Sequence, residues 1–560
     1  MKKPELLCPV GGADSLGAAI LGGADAVYFG GKEFNARMNA KNMDRPQILS
    51  AIRRCHEKGV RVYITLNTLL TDRNIEEALD FVSFLYESGC DALILADLGF
   101  SSLVKALFPD FEIHASTQMS GHNLGAAKFL EEQGFSRMVL ARELDRKNLK
   151  LICENSPIET EIFVHGAICA SASGQCLMSS MIGDRSGNRG QCAQPCRLPY
   201  NKGNYLLSFK DLCLASHVEE ILSLPISSLK IEGRMKSPEY VYSVCRTWRT
   251  LLDEGRNITE KELSSLSDVF SRSGFTDGYF VGEKTKEMLG VRSAEDKQKT
   301  KEAKVRFLDS GRKVSPINLE RASIKWEMPE KPKKTKPYFH RSARFLSPQQ
   351  IPETNFFSEI YLPLEKFEKG KANGVVLPAV IFPSEEENIR KMLVKARDNG
   401  AEHALVGNIG HLSILEGLGF ILHGDFRLNV ANSFTLNLLP EMKDTVASPE
   451  LNSSQIRDLR GRKSTVVYGK IPVMLLEKDP GAQLLTDRKG ISFPVFPENG
   501  RFVVYNSAPF YMADKKKVLK EKGIENQHFI FSTETKKEVE EVIIAYQKGT
   551  PREGNIKRIK

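Results

Sequence analysis

Four cysteines lie in one short, glycine-rich stretch of the chain, at Cys169, Cys176, Cys192 and Cys196. Their spacing, C-x6-C-x15-C-x3-C, starts just beyond an apolar run of β type. Thiolates that converge from one loop repel one another and lose hydration, so this grouping calls for a cation. Zinc sites usually contain closer cysteine pairs, whereas iron-sulfur clusters accept irregular spacings. The sequence therefore favours a 4Fe-4S cluster, with zinc, or a redox or nucleophilic cysteine, as alternatives.

Three arginines, Arg185, Arg189 and Arg197, lie among or beside these cysteines. They would offset the negative charge of a cluster, or contact RNA phosphate or a carboxylated small molecule. Cys213, in SFKDLC, is a reserve ligand should Cys192 or Cys196 not bind. The other cysteines fall in strand or helix patterns and are expected to be small buried hydrophobic residues: Cys8, Cys55, Cys90, Cys153 and Cys245.

Polar residues follow the apolar runs of the first half of the chain, and four of them are the candidate catalytic residues. His114 and His165 would transfer protons near neutral pH. Arg142 and Glu143 follow a third run. We expect Glu143 mainly to balance neighbouring arginines, with acid-base catalysis as its less favoured role.

The candidate substrate-binding residues include three arginines, Arg37, Arg142 and Arg234. A planar guanidinium suits bidentate contacts, so these side chains would pair with carboxylates of a small co-substrate or with phosphate. Glu232 would balance them. The remaining candidates at strand ends are Asn67, Asp97 and Gln118.

The elements that must position these residues alternate between short apolar runs and amphipathic helical stretches that end in glycine. Eight such units predict an α/β fold with an N-terminal (β/α)8, TIM-like barrel, whose polar strand ends would form the active-site face. An open doubly wound sheet would also alternate, but it would not readily need eight strands with polar ends. The predicted strands are ELLCPV, DAVYFGG, VRVYITLNTLL, DALILAD, FEIHASTQ, RMVLARE, EIFVHGAI and SSLKIEGR.

The second half of the chain repeats the first faintly. The segment from Ala404 parallels that from Ala92, and VVYGKIPVM at Val466 parallels FVHGAICAS at Phe163. This duplication predicts a degenerate, barrel-like α/β domain without the cysteine site. The expected domains are residues 1–280, the barrel with its cysteine-rich insertion; 281–345, a small accessory segment and a basic Pro/Lys linker; 346–548, the second domain; and 549–560, a basic tail.

The linker, EMPEKPKKTKPYFHRSARF, is predicted to be semi-rigid and solvated. A phosphate-contacting arm built from Tyr338, Phe339, Arg341 and Arg344 is the alternative.

Bulk composition narrows the class of protein. The chain has 560 residues, 41% hydrophobic and 27% charged, which is typical of a globular protein with more than one domain. Asp14 and Asp25 interrupt what would be the apolar region of an export signal, and no apolar run is long enough to span a bilayer, so we expect a cytoplasmic protein. The net charge of +9 favours a polyanionic partner only modestly.

The segments EIFVHGAICASASGQCLMSS, GNRGQCAQPCR, SFKDLC and SLKIEGRMKSPEY closely resemble peptidase family U32, the collagenase-like peptidases, and the N-terminus fits the barrel of that family. The resemblance implies a TIM-type barrel with an oxygen-sensitive 4Fe-4S cluster, whose ligand positions are those of the four clustered cysteines. Several members are associated with oxygen-independent or prephenate-dependent hydroxylation, of the wobble uridine in tRNA, of a cytidine in 23S rRNA, or of the ubiquinone ring.

These features and the resemblance lead to three functional hypotheses. The first is an RNA-modifying enzyme that hydroxylates C5 of a pyrimidine in rRNA or tRNA, with prephenate as a possible co-substrate. The second is a peptidase, although the sequence contains neither H-E-x-x-H nor G-x-S-x-G. The third is an assembly, RNA-binding or accessory factor, such as one for hydroxylation of a quinone precursor. We expect RNA to be the partner, with no membrane contact.

Overall fold

The structure is a computed structural model that describes residues 3–303, 325–330, 340–439 and 442–559. Eight parallel strands form a closed barrel in the first half, because β7 pairs with β9 and β9 pairs with β1. The predicted barrel is confirmed, since each predicted strand supplies one of these. Their bounds are β1 Glu5–Pro9, β2 Ala26–Phe29, β3 Arg61–Leu66, β4 Ala92–Leu95, β5 Glu112–Ala115, β6 Arg137–Val139, β7 Glu159–Gly166 and β9 Ser228–Ile231.

Helices on the outside of the barrel begin and end at the residues that capping chemistry favours. In α2, the side chain of Asp44 accepts from the backbone of Gln47 in a reciprocal capping box. In α9, Ser237 caps the start and Gly255 ends the helix with a φ of 65°. The helices of this half are α1 Ala13–Leu21, α2 Arg45–His56, α3 Ile75–Glu87, α4 Leu98–Leu107, α5 Leu124–Glu132, α6 Arg146–Asn155, α7 Met178–Gly183, α8 Val218–Leu222, α9 Pro238–Glu254, α10 Glu260–Val269, α11 Gly278–Val281 and α12 Ala294–Glu302.

The cysteine-rich segment is an insertion between the last two barrel strands. Residues 167–210, called here the cysteine loop, leave the end of β7 and lead into β8 (Asp211–Cys213), which pairs antiparallel with β7. Strand β10 (Phe275–Thr276) extends that edge. Gly166 turns the chain out of β7 with a φ of 106°, and a Cβ atom there would collide with the carbonyl oxygen of Glu232.

The second half contains another closed barrel of eight parallel strands. This confirms the predicted duplication: the segments from Ala92 and Ala404 hold the fourth strand of each barrel, and those at Phe163 and Val466 hold the seventh. Gly469 has a φ of 113° and occupies the turn that Gly166 occupies in the first copy. The strands are β11 Arg341–Arg344, β12 Glu359–Pro363, β13 Gly374–Val376, β14 His403–Val406, β15 Ile421–Gly424, β16 Met442–Val446, β17 Lys463–Gly469 and β23 Gln527–Ile530.

The second barrel also carries its insertion between its last two strands, but this insertion is a small antiparallel sheet rather than a cysteine loop. The sheet consists of β18 Pro472–Leu476, β19 Leu484–Thr486, β20 Ser492–Glu498 and β21 Arg501–Tyr505, and β22 Phe510–Tyr511 pairs with β17. The helices of this half are α13 Pro383–Asp398, α14 His411–Leu415, α15 Ser433–Leu438, α16 Ser453–Asp458, α17 Lys516–Glu521 and α18 Lys536–Lys548.

Two details of the predicted domain division differ in the structure. Strand β11 falls at residues 341–344, so the second barrel begins inside the stretch assigned to the linker, and Arg344 is buried beside Glu498 at 2.6 Å rather than facing phosphate. The tail packs on its own domain, where Lys557 pairs with Phe510. Tyr338 and Phe339 lie outside the described residues. None of the helices in the described part of the chain combines the length and apolarity that crossing a membrane requires.

The two barrels contact each other through buried polar groups. Asn432, at the start of α15, donates to Asp97 at 2.7 Å and to the carbonyl oxygen of Leu70 at 3.1 Å. Thr435 donates to the same carboxylate at 3.0 Å. Because Asp97 is buried, these hydrogen bonds replace the water that its carboxylate would otherwise bind.

We expect Asn432→Ala to destabilise the contact between the barrels by about 1–3 kcal/mol, since it leaves a buried carboxylate short of a donor. Urea unfolding and hydrogen exchange of α4 and α15 amides would measure the loss. The matched control is Asn388→Ala, on the exposed side of α13, which should change the free energy of unfolding by less than about 0.5 kcal/mol. Equal stability of the two variants would contradict the assigned contact.

Candidate functional site

A cavity of about 170 Å³ lies at the carboxyl-terminal ends of the first barrel's strands, beneath the cysteine loop. This is the face of a (β/α)8 barrel where functional residues gather. The predicted residues that line it are Cys169, Cys176, Cys192, Cys196, Arg37, Asn67, Gln118, Arg142, Glu232 and Arg234. The structure therefore brings the thiols and the three strand-end arginines to one place.

The four thiols differ in exposure but share this cavity. Cys169 and Cys192 are exposed, and Cys176 and Cys196 are partly buried. Burial, with a smaller contribution from Cys169, raises the pKa of Cys196 to about 12. Burial also raises the pKa of Cys176 and Cys192, with the other thiolates adding to the effect. Without a cation these thiols would stay protonated, so the group is suited to a positively charged metal centre.

Backbone amides complete this donor set. The N–H of Gln194 donates to the sulfur of Cys192 at 3.4 Å. Backbone hydrogen bonds from Met178 and Ala170 lower the pKa of Cys176 and Cys196, against the larger effect of burial. Amide donors to sulfur are a usual feature of iron-sulfur sites.

Glu232, at the end of β9, lies among the three arginines. Arg37 donates to its carboxylate at 3.2 Å, and Arg142 lies 4.0 Å from the other oxygen. Burial opposes the charge of Glu232, but Arg37, Arg142 and Arg234 together lower its pKa below the usual value. Three guanidiniums against one carboxylate leave this wall of the cavity positively charged, which suits an anionic ligand.

The arginines are held in different ways. Arg234 donates to Thr65 at 3.1 Å and to Asn42 at 2.8 Å, and burial lowers its pKa to about 10. The guanidinium of Arg142 lies 3.9 Å from the ring centroid of Phe163. Its Nε has no hydrogen-bond partner among the described residues, so Arg142 keeps unused donor capacity beside the cavity.

Neither candidate histidine lines the cavity. His114 lies inside the barrel, 2.9 Å from Glu112 and with its ring edge-on to Tyr63. His165 packs against Phe275, and burial lowers its pKa to about 3, so it is neutral near pH 7. The structure thus places both rings away from the thiols. Their proposed catalytic role stays a prediction that this arrangement does not support.

Glu143 also lies outside the cavity wall, and it anchors the cysteine loop. Its carboxylate accepts from the backbone N–H and the hydroxyl of Ser173 at 2.8 and 2.9 Å, and His122 lies 2.5 Å away. These contacts hold residues 172–174 against the barrel rim. Glu143 is therefore a positioning residue, and its balancing partner is a histidine rather than an arginine.

The other predicted residues support the loop or lie elsewhere. Arg197 donates to the carbonyl oxygens of Ile168 and Phe209. Arg185 donates to the carbonyl oxygen of Gln191 at 3.2 Å. Arg189 lines a separate groove of about 650 Å³ between the barrels. Asp97 serves the contact between the barrels described above.

Sequence reasoning missed Lys230 and Met474, which both line the cavity. Lys230 lies two residues before Glu232 on the same face of β9, 2.7 Å from Glu161 and 4.4 Å from the ring centroid of Tyr28. Side chains two residues apart on a strand lie on the same face, so the position of Glu232 would have identified Lys230 as a cavity residue. Met474, from β18 of the second domain, also lines the cavity, and no local signal in the sequence could have placed it there.

The second domain closes one side of the site. The N–H groups of Ala172 and Leu177 donate to the carbonyl oxygens of Leu475 and Val473 at 2.7 and 2.8 Å, so β18 pairs with the cysteine loop. Arg427 donates to Gln175 at 3.0 Å. The C-terminal domain thus holds the loop in place and supplies part of the cavity wall.

Residues 11–290 match peptidase family U32. The chain is 40% identical over 288 residues to the 23S rRNA 5-hydroxycytidine C2501 synthase of Escherichia coli K12, covering 50% of this chain and 42% of that protein. It is 35% identical over 268 residues to tRNA hydroxylation protein P1 of Bacillus subtilis 168, covering 45% and 64%.

It is also 33% identical over 314 residues to a protein named collagenase from Porphyromonas gingivalis W83, covering 50% of this chain and 74% of that protein. The first two alignments span less than two thirds of those relatives, and all three lie within about half of this chain. The family match covers half of the chain and includes the first barrel from β2 onward, the cysteine loop and the three cavity arginines. The chain is a member of peptidase family U32.

Proposed function

We propose that this protein hydroxylates C5 of a pyrimidine in rRNA or tRNA. The observation that carries the proposal is the shared cavity, in which four thiols face a wall of three arginines. Relatives named for rRNA and tRNA hydroxylation align with about half of the chain. Replacing the hydrogen on C5 by a hydroxyl is a two-electron oxidation, so the reaction needs a co-reactant that supplies the oxygen atom and accepts the two electrons.

Cys169, Cys176, Cys192 and Cys196 would hold a 4Fe-4S cluster, which supplies an electron-transfer centre when bound. Arg37 and Arg142 would bind a carboxylated co-substrate of the prephenate type, because both guanidiniums already lie near one carboxylate, that of Glu232. Glu232 orients these two guanidiniums through its ion pairs with them.

The remaining residues shape the environment. Met474 and β18 shield one side of the cavity from water, and Tyr28, Phe163 and the methylene groups of Lys230 form its floor. Buried charges act more strongly in such a site than in water. Lys230 is paired with Glu161 at 2.7 Å. This pairing reduces the net positive charge that an anionic ligand would meet at the bottom of the cavity.

The test is to compare nucleosides from digested tRNA and rRNA of wild-type and deletion cells by mass spectrometry. We expect a C5-hydroxylated pyrimidine to disappear on deletion and to return with the wild-type gene. An unchanged nucleoside profile would overturn the proposal and favour a quinone-precursor or assembly role.

A peptidase is the second candidate, favoured by the relative named collagenase. Among the described residues, no histidine lines the cavity beside the cysteines, so a Cys/His pair is not formed there. Cleavage of casein or gelatin that survives Cys169→Ala would support a peptidase site elsewhere on the chain.

We expect Arg142→Lys to raise the KM for the carboxylated co-substrate by about tenfold or more, because a point charge replaces a bidentate donor worth about 1.5–3 kcal/mol. Steady-state hydroxylation of an RNA substrate at varied co-substrate concentration would measure it. Arg185→Lys is the matched control, since Arg185 donates to the carbonyl oxygen of Gln191 and lies outside the cavity. A larger effect of Arg185→Lys would contradict the assignment.

A further inference from the structure

Four of the ten histidines lie close together inside the second barrel, near the amino-terminal ends of its strands. Three of them join two carboxylates in a group called here the histidine plug: His340, Glu359, His403, His423 and Asp444. All five residues are buried, with at most 6% of their surface exposed. The plug lies in the second barrel, whereas the cavity with the thiols and arginines lies at the first, and nothing in the proposed hydroxylation uses the plug.

The donor atoms of the plug are close enough to share an ion. One ligand atom from each of Glu359, His403 and His423 lies within 4.8 Å of the other two. Nδ1 of His403 and Nε2 of His423 are 3.1 Å apart. Two imidazoles and one carboxylate, on β12, β14 and β15, are a common ligand set of zinc and of other divalent transition metals.

The contacts behind these donors match the usual surroundings of a metal ligand. Nδ1 of His423 lies 2.5 Å from a carboxylate oxygen of Asp444, which commits that nitrogen and leaves Nε2 on the side of His403. Metal-bound histidines commonly donate their second ring N–H to a carboxylate, which fixes the tautomer and the ring orientation. Lys443 lies 3.2 Å from one oxygen of Glu359, and Nδ1 of His340 lies 2.7 Å from the other.

A second triad, His340, His423 and Asp444, also meets the 4.8 Å distance. Asp444 already contacts Nδ1 of His423 at 2.5 Å, as an orienting carboxylate does, so we assign the ion to the first triad. Asp444 is then an orienting residue, and His340 flanks the ligand carboxylate.

At the amino-terminal end of the first barrel, the buried carboxylates are neutralised in a different way. There Arg137 and Lys230 neutralise Glu5 and Glu161 with fixed positive charges at 2.7–3.2 Å. In the plug, Asp444 faces the imidazoles of His423 and His340, and Glu359 faces His340 and a single lysine, Lys443. A divalent cation would supply the further positive charge that the first barrel obtains from arginine and lysine.

We propose that Glu359, His403 and His423 bind one divalent transition-metal ion of the zinc class, that Asp444 orients His423, and that this ion cross-links three strands of the second barrel. The site is closed and buried, so its role is structural. The inference does not depend on the proposed hydroxylation or on the cluster.

The experiment uses the full chain carrying Cys176→Ala, so that the proposed cluster does not mask the result. Co²⁺ added after chelator treatment should give visible d–d absorption for a nitrogen- and oxygen-coordinated ion, and a sulfur-to-cobalt charge-transfer band would separately report any ion held by the three remaining cysteines of the cysteine loop. Zinc measured by mass spectrometry should reach a single equivalent and should raise the thermal unfolding midpoint. Absence of such absorption in this parent chain overturns the proposal, whatever the further variants do.

In the same background, Glu359→Gln and His403→Gln should each lower cobalt affinity at least tenfold, and Asp444→Asn should lower it by about 10–100-fold. The matched control is His528→Gln. His528 is a neighbouring buried histidine that contacts Ser342 at 2.8 Å and belongs to neither triad, so its replacement should leave the affinity unchanged. Unchanged affinity in folded Glu359→Gln and His403→Gln would also overturn the site. If circular dichroism shows that both fail to fold, the parent chain's cobalt spectrum decides.

Discussion

Cys176→Ala is expected to strip the purified protein of iron and acid-labile sulfide and to abolish C5 hydroxylation, while the chain stays folded. Cys176 is partly buried at the cavity wall, where its pKa is raised by burial, so its thiolate forms only with a metal centre beside it. Alanine fills most of the same space, and the loop is held independently by Glu143 and β18. Anaerobic purification followed by iron and sulfide analysis, with nucleoside analysis of RNA, would measure both effects.

The matched control is Cys213→Ala. Cys213 is buried at the end of β8, does not line the cavity, and was the reserve ligand in the sequence-based assignment. We expect this variant to keep its iron and its activity. Full iron-sulfide content in Cys176→Ala, or its loss in Cys213→Ala, would show that the ligand set is wrong.

The barrel could be predicted because its information is local. Each strand is a short apolar run followed by a polar end, and the register of neighbouring parallel strands brings those ends to one face. The same logic placed Arg37, Glu232 and Arg234 correctly at the cavity. The duplication was also visible, because Gly166 and Gly469 each end the seventh strand in a turn that favours glycine.

Two kinds of feature could not be predicted: the face of a strand on which a side chain lies, and contacts between distant parts of the chain. The pairing of β7 with β9 shifts register between Phe163 and His165, so Phe163 faces the cavity while His165 does not. A shift of one residue moves a side chain to the other face of a strand, and the sequence gives no sign of it. Asp97 follows its strand as predicted, but its partners, Asn432 and Thr435, come from the other half of the chain.

The largest stability effect is expected at the amino-terminal end of the first barrel, where Arg137 is buried with 1% of its surface exposed. It lies 2.8 Å from Glu5, 3.2 Å from Glu161 and 2.6 Å from Glu159. Methionine would match much of its length but not its charge. Because removing one partner of a buried ion network leaves the others uncompensated, Arg137→Met should destabilise the first barrel by about 3–5 kcal/mol.

The pH dependence gives this prediction a second readout. Burial would raise the pKa of Glu161, but Lys230 and Arg137 outweigh burial and lower it from 4.5 to about 2. Its contribution to stability is therefore present above pH 4.5 and is lost as the pH falls through 2. Without Arg137 the pKa of Glu161 rises, so the acid-induced loss of stability should begin at a higher pH in Arg137→Met than in the wild type.

Hydrogen exchange of the β5–β7 amides suits this measurement, because a chain with two barrels need not unfold in one step. The matched control is Arg146→Met, which removes a half-exposed ion pair to Glu220 at 3.6 Å and should change stability by less than about 0.5 kcal/mol. If Arg137→Met were no less stable than Arg146→Met, the first barrel would not depend on its buried ion network. The contrast drawn above between fixed charges in one barrel and imidazoles in the other would then lose its basis.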